Sequence, residues 1–407
     1  MNRSITAFAG AALMVGVGTA LEFYSQDEAI LAIDFNTLGL LFGMMILVAL
    51  LEPTGFFEYL AIWAARLSKG QPVRLMVLLG TVTTILSMFL DNVTTVVLIA
   101  PVTLMICEIL GLNPIPYLMS EALLSDTGGV ATLVGDPPNV VIASAANFSF
   151  NDFLTHSLPI VLVAWLAALF LLRYLFRHDL REVPKNKDAV LELDPDVILN
   201  DRKTVKRVLI VLGIAIVFFF VHHNLHIQPS FIAMSAAAVA LVWVQPNLHD
   251  VIQRVDGNVL IFFGALFVMV GGLESAGVLH QVGELIGTAG NLSPVVFGVI
   301  TIWVVAILSA LIDNIPITIA LIPVFGELER AGVNIQPLWW ALAFGAGFGG
   351  NGTIIGSTAN VFVASLSERT KDPITSQVWS KRGLPVMVVT CLVGSILFVL
   401  AYPYLSR

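Results

Sequence analysis

The sequence predicts an all-α polytopic membrane protein made of two inverted-topology repeats, each carrying a re-entrant helical hairpin and a broken transmembrane helix. Three observations carry that prediction. Of 407 residues, 57% are hydrophobic and only 12% charged, with a mean hydropathy of +0.90, which places the chain in a bilayer. Polar blocks recur in order at a nearly constant spacing. Basic residues in matched loops alternate between the two halves.

The apolar runs suit helices of about 20 residues rather than the short alternating strands of a barrel. Spans are predicted at 4–20, 36–52, 118–146, 157–175, 207–223, 228–246, 258–274, 338–366 and 383–404. The first run has no charged leader or small-residue cleavage site, so it is expected to stay as a mature span. Amphipathic segments near 56–69 and 277–290 are expected to lie along the interfaces. No soluble domain is visible. Cys107 and Cys391 both sit in apolar runs, which excludes a disulfide framework and a four-thiolate metal site.

The repeat is explicit. "LDNVTTVVLIAPV" at 90–102 returns as "IDNIPITIALIPV" at 312–324, matching Asp91 with Asp313 and Asn92 with Asn314. "GGVATLVGDPPNVVIASA" at 128–145 returns as "GGNGTIIGSTANVFVASL" at 349–366, matching Thr132 with Thr353, Gly135 with Gly356 and Asn139 with Asn360. The offsets are 222 and 221. Segment 66–74 holds Arg66, Lys69 and Arg74, whereas its mate near 281–293 holds no Lys or Arg; the loop at 146–157 has none, and its mate at 367–382 has four. Matched loops therefore face opposite sides, the signature of inverted repeats in secondary transporters.

The domains follow: a first repeat at 1–175 with its hairpin at 73–110 and broken helix at 118–146, then a basic cytoplasmic linker plus connecting span at 176–227. The second repeat covers 228–407, with its hairpin at 293–330 and broken helix at 338–366. The charge alternation works only if each hairpin enters and leaves on one side, which puts the Asp-Asn pairs at the tips. The N-terminus is predicted cytoplasmic, in the cytoplasmic (inner) membrane.

An aspartate inside a bilayer costs about 2.5 to 3.5 kcal/mol on insertion scales and is a functional candidate by default. Asp91 and Asp313 qualify, although each could also cap the second arm of its hairpin. Gly135 and the Pro137-Pro138 pair must interrupt their helix and free backbone groups, with Asn139 and Asn360 beside the breaks. The glycine run 343–352 reads as close helix approach. Asp126 and Asp136 have no acidic mates, for Gly347 and Ser357 stand there instead. Carboxylates gathered at one centre share protons as a coupled set and can exchange them for substrate. "HHNLH" at 222–226 reads as a polar turn between spans rather than a zinc site. Glu108 and Glu121 are expected near the mouth of the first hairpin, satisfied by solvent or a partner. No Walker A pattern is present, so the chain reads as a transporter driven by an ion gradient and not as an enzyme; no cofactor and no nucleic-acid partner are expected.

"LDNVTT", "GDPPNV", "IDNIPIT" and "GGNGTIIGSTANV" closely resemble the paired signatures of the ion transporter superfamily, in the branch of ArsB-type arsenical pumps and NhaD-type sodium/proton antiporters, and they are also close to the melanosomal P protein pattern. The resemblance runs over nearly the whole chain. It implies one central midplane site with alternating access, elevator-like. By position, Asn92, Thr94, Thr95, Gly135 and Asn139 form one half-site; Asn314, Thr318, Gly356, Ser357, Thr358 and Asn360 form the other. Sodium ligands would come from this set, which includes no certain metal site. Asp91, Asp126, Asp136 and Asp313 are the proton-coupling candidates. Dicarboxylate-carrying relatives bear serine at the tips, so aspartate there favours proton or cation chemistry. The leading expectation is a proton-coupled antiporter extruding arsenite or antimonite; sodium/proton exchange is the alternative, and sodium-coupled anion transport the third. The lipid bilayer is the expected surrounding, and a homodimer is admitted; a separate ATPase subunit is not inferable from these residues.

Overall fold

The computed structural model describes residues 3–187, 189–278, 281 and 293–406, and every regular element among them is helical. Nine of the described helices are long and apolar enough to cross a bilayer. The segment 277–290 falls largely outside the described residues.

Local chemistry sets the helix starts. Asp34 accepts the N–H groups of Asn36 and Thr37 at the head of Phe35–Leu51. Asp201 does the same for Arg202–Leu225, and Asp256 accepts Asn258 N–H at the head of Gly257–Ser275. Such caps are each worth about 1 kcal/mol. Proline opens Pro72–Leu90, Pro137–Ala146, Pro229–Val244 and Pro294–Ile312, where its missing N–H costs nothing.

The helices pack as two bodies. An outer body comprises Arg3–Ala20, Phe35–Leu51, Arg202–Leu225, Pro229–Val244 and Gly257–Ser275. Gly43 lets Phe35–Leu51 lie against Pro229–Val244, since a methyl there would come within 2.6 Å of the Ala233 carbonyl carbon. The inner body contains both hairpins, both broken helices, Leu158–Leu175 and Ser376–Leu405. Its first hairpin is Pro72–Leu90 and Asn92–Leu110, and its second Pro294–Ile312 and Asn314–Arg330. The first broken helix is Ile115–Gly129 and Pro137–Ala146; the second is Gln336–Gly350 and Thr358–Ser367.

The first hairpin enters and leaves on one side: Gly70 and Gly111, at its two ends, lie against Lys187 and Lys185 of the linker, and Lys185 N–H donates to Leu110 O at 2.9 Å. Phe56–Ser68 packs on both arms of this hairpin and buries Phe57, Ala61, Ile62, Ala64 and Ala65. The repeats interlock crosswise. The returning arm of each hairpin packs against the second half of the other repeat's broken helix, Asn92–Leu110 on Thr358–Ser367 and Asn314–Arg330 on Pro137–Ala146. The glycine run serves the close approach expected of it: a methyl on Gly349 would come within 2.5 Å of Ala306 Cα.

Between the bodies the contact is lighter. Gly257–Ser275 touches Asn314–Arg330, and Phe35–Leu51 touches Pro137–Ala146. A crevice between them is lined by Ala32, Phe267 and Glu274 on one side and Val141, Ile319 and Pro323 on the other.

Two expectations are corrected here. Glu121 is not at a solvated mouth: it is fully buried, accepting a 2.5 Å hydrogen bond from Thr103 Oγ1. The second tip is also not level with the middle of the outer helices. Asp313 meets Arg3, the first residue of Arg3–Ala20, so that tip lies at one end of the outer body.

Candidate functional site

Each hairpin turns through a single residue. Asp91 has φ +78 and ψ 151, and Asp313 has φ +103 and ψ 148, a region that essentially only glycine enters freely and that costs a side chain about 1 to 3 kcal/mol. Each aspartate recovers part of this by capping the arm that follows. Asp91 Oδ1 accepts Thr94 N–H at 3.0 Å, and Asp313 Oδ1 accepts Ile315 N–H at 3.3 Å. Glycine would turn the chain more cheaply, but it would supply neither the cap nor a carboxylate at the tip.

The breaks are built alike in both halves. Asn139 Nδ2 donates to Gly129 O and Thr132 O at 3.1 and 2.8 Å; Asn360 Nδ2 donates to Gly350 O and Thr353 O at 2.9 and 3.2 Å. Each amide thus splints its own break by satisfying carbonyls the interrupted helix frees. Thr132 Oγ1 donates to Met88 O and Thr353 Oγ1 to Ala310 O, which ties each break to the entering arm of its own hairpin. Gly135 and Gly356 are where the chain folds back on itself, a methyl at either coming within 2.5 to 2.6 Å of a backbone carbonyl oxygen.

Onto this symmetric frame the carboxylates are added asymmetrically. Asn92 Nδ2 donates to Asp126 Oδ1 at 2.8 Å, and Ser357 Oγ from the other repeat donates to the same oxygen at 3.0 Å. Asn314 Nδ2 donates to both oxygens of Asp136, at 3.3 and 3.1 Å. Each tip asparagine therefore faces the opposite repeat's break, directly for Asn314 and through Asp126 for Asn92. Asn351 Nδ2 adds a further cross-repeat bond to Thr127 Oγ1 at 3.0 Å.

Among the buried oxygens without a donor at this centre are Asn92 Oδ1, Asp126 Oδ2 and Asn360 Oδ1, with Asn351 Oδ1 beside them, and the Asn360 amide also lies within reach of the Asp126 carboxylate. The first three come from a hairpin tip, a helix of the first repeat and a helix of the second. A buried acceptor without a donor is costly in a folded protein and is kept where something else satisfies it. A carboxylate with amide and hydroxyl oxygens is the ligand chemistry of a small hard cation.

The structure thus brings together Asn92, Asp126, Ser357 and Asn360, and separately Asn314 with Asp136. Thr95 Oγ1 donates to Asp91 O and Thr318 Oγ1 to Asn314 O, each one turn back, at 2.7 and 2.8 Å. Thr94 contributes its backbone N–H to Asp91, and Thr358 opens the second half of its broken helix. The His222 ring bonds to Phe150 N–H and Ile227 O, which makes His222 a loop fastener. Among the described residues no group of His, Cys, Asp and Glu is placed to hold a metal ion on its own.

Sequence reasoning missed Arg3, whose Nη1 lies 2.9 Å from Asp313 Oδ2. A first span drawn from residue 4 leaves it among the solvated flanking charges, and no spacing rule links it to a residue 310 positions on. It also missed Ser87 and Ser309, matched hydroxyls that donate to Ser125 O and Ala346 O and pin each hairpin to its broken helix.

A polytopic helical protein with paired hairpins, paired helix breaks and buried unmatched acceptors where they meet is a membrane transporter. Residues 1–345 match the CitMHS family, described as citrate transporter, and the chain belongs to that family. It is 38% identical to a 46 kDa membrane protein of Mycobacterium leprae (strain TN), across 100% of this chain and 95% of that one. It is 40% identical to an uncharacterized transporter of Mycobacterium tuberculosis (strain ATCC 25618 / H37Rv), across 99% and 94%. The human P protein is 31% identical across 99% of this chain and 58% of its own length. Among solved structures, the YdaH transporter of Alcanivorax borkumensis, whose topology is described as unusual, superposes with a TM-score of 0.65 over 99% of each chain; at 16% identity this likeness concerns the fold.

Proposed function

We propose that this protein is a secondary antiporter that exchanges protons for a small cation of sodium's kind, by alternating access of one central site. The observation that carries the reading is the trio of donorless buried oxygens on Asn92, Asp126 and Asn360. An anion gains nothing from acceptors, whereas a cation bound beside Asp126 would meet a carboxylate and amide oxygens that lack donors. The carboxylates supply the exchange: Asp126 and Asp136 lie within electrostatic reach of each other and of Asp313, so adding a cation favours loss of a proton from the set. The light contact between inner and outer bodies suits the sliding of one past the other. With the basic linker placed in the cytoplasm, the second tip lies toward the cytoplasmic end of the outer body.

Arsenite or antimonite extrusion stands as the second reading, because a neutral trihydroxylated solute brings O–H donors that the same three acceptors would take. That ordering reverses the expectation from sequence, since Asp126 favours a positive charge over a neutral one. A free dicarboxylate or citrate fits least well, because it brings negative charge to a centre already holding Asp126 and Asp136.

Reconstituted vesicles with an imposed pH gradient test this, with sodium, arsenite and citrate, the last with and without magnesium, assayed in parallel. Sodium-triggered proton flux is the expected result. Arsenite flux without sodium-triggered proton movement would promote the second reading, and uptake of citrate alone would remove both.

A further inference from the structure

The second tip is the only one of the two seen with a fixed cation. Arg3 Nη1 is 2.9 Å from Asp313 Oδ2, whereas Asp91, its repeat mate, has no ion-pair partner among the described residues. The pair joins the outer body to the inner one. Its pose is built rather than incidental. The Arg3 guanidinium lies over the Phe262 ring, 5.3 Å from its centroid, and Phe262 belongs to Gly257–Ser275, the helix that also touches Asn314–Arg330. One residue on, Ser4 Oγ donates to Asn258 O at 3.0 Å and fixes the register of Arg3–Ala20 against that helix. The Asp313 side chain is 9% exposed and that of Arg3 is 40% exposed. The cation can therefore leave toward water at small cost while the carboxylate cannot.

We infer that Arg3 is a tethered counter-cation of the second hairpin tip, occupying Asp313 in this conformation and competing there with the proton or transported cation that must displace it before the inner body moves. The inference rests on the proposed cation/proton exchange at this centre and adds a residue outside both repeat motifs to it. Arginine keeps its charge at every physiological pH, so an occupied Asp313 needs no proton. Once Arg3 withdraws, the buried carboxylate is compensated only by a proton or a cation. The charged groups in reach of Asp313 are Arg3 on the first helix and Asp126 and Asp136 from the first broken helix. Asp256 lies within electrostatic reach of Asp91. Neither Pro294–Ile312 nor Gln336–Gly350, which pack on the returning arm, carries a charge, and Gly257–Ser275 carries only Glu274, three turns and more from Phe262.

The test compares wild type, Arg3→Lys, Arg3→Gln and Arg3→Gln/Asp313→Asn. In vesicles, Arg3→Gln is expected to lower the apparent KM for sodium roughly tenfold, the factor that about 1.4 kcal/mol of relieved competition supplies, and Arg3→Lys to restore most of the wild-type value. In detergent, thermal unfolding followed against pH gives a readout independent of transport. Arg3→Gln should match wild type at low pH, where a proton compensates Asp313, and lose stability as pH rises; adding Asp313→Asn should abolish that slope. Parallel pH slopes for wild type and Arg3→Gln would overturn the inference, whatever the vesicles show. Wild-type vesicles inert to sodium, together with a steeper pH slope in Arg3→Gln, would instead remove the sodium reading and leave Arg3 as the tip's counter-ion.

Discussion

Asn314 donates its side-chain amide to both carboxylate oxygens of Asp136, at 3.3 and 3.1 Å, and so ties the tip of one repeat to the break of the other. The equivalent junction, Asn92 with Ser357, has no direct bond and is bridged by Asp126. One pseudo-twofold frame thus carries two chemically different junctions, with all three carboxylates of the broken helices, Glu121, Asp126 and Asp136, in the first repeat; their mates are Leu342, Gly347 and Ser357.

Replacing Asp136 by asparagine keeps a polar partner for Asn314 while removing the charge. Asp136→Asn is expected to fold normally and to lose proton-coupled flux by at least about tenfold, a loss of roughly 1.4 kcal/mol in transition-state terms. Flux at wild-type level with an unchanged pH profile would show that this carboxylate only fastens the tip.

Asp126→Asn changes the donorless trio directly. Its second oxygen becomes an amide, so the set loses its charge and gains a donor aimed where a cation is proposed. Thermal shift on adding sodium is the measurement. The wild type should be stabilised by an amount that grows with sodium concentration, as ligand linkage requires, and Asp126→Asn should not. Equal shifts in both would place the cation elsewhere.

Much of this was legible in the sequence because duplication leaves a direct trace. Asp91 and Asp313, Thr132 and Thr353, and Asn139 and Asn360 pair by offset alone, and they form matching turns and splints. Hydropathy marks 73–110 and 293–330 as apolar, and the helices Pro72–Leu90, Asn92–Leu110, Pro294–Ile312 and Asn314–Arg330 occupy those stretches. What the offset could not supply was anything present in one half only. Arg3 lies outside every matched block, Glu121 reads as a mouth residue, and nothing in the spacing of Asp126 points to a bridge to Ser357, since each depends on which face of a helix turns inward.

The tip backbone makes a separable stability prediction. Asp91 adopts φ +78, which costs about 1 to 3 kcal/mol, and its cap on Thr94 N–H returns about 1 kcal/mol. Asp91→Gly loses the cap but relieves the strain, so its melting temperature should stay near wild type. Asp91→Ala loses the cap and keeps the strain, so it should melt several degrees lower. Both should lose coupled transport. Equal melting temperatures for the two variants would mean that the turn stores no strain.

Glu121 offers the last test, because its fully buried carboxyl has a single partner. Thr103 Oγ1 donates to one oxygen at 2.5 Å, and the other has none. In the second repeat these two positions are Phe325 and Leu342, an apolar pair. Thr103→Val would strip the carboxyl of its donor, at a cost of about 1 to 3 kcal/mol. Adding Glu121→Leu removes the stranded group, and replacing both partners of a buried polar pair by apolar side chains is close to neutral or stabilising. The double variant should therefore melt above Thr103→Val and near wild type, as non-additivity between contacting residues requires. A double variant that folds and melts as low as Thr103→Val or lower would show that the carboxyl contributes to the fold beyond its bond to Thr103. If the double variant instead melts near wild type but moves the pH profile of exchange, Glu121 belongs to the proton-carrying set alongside Asp126 and Asp136.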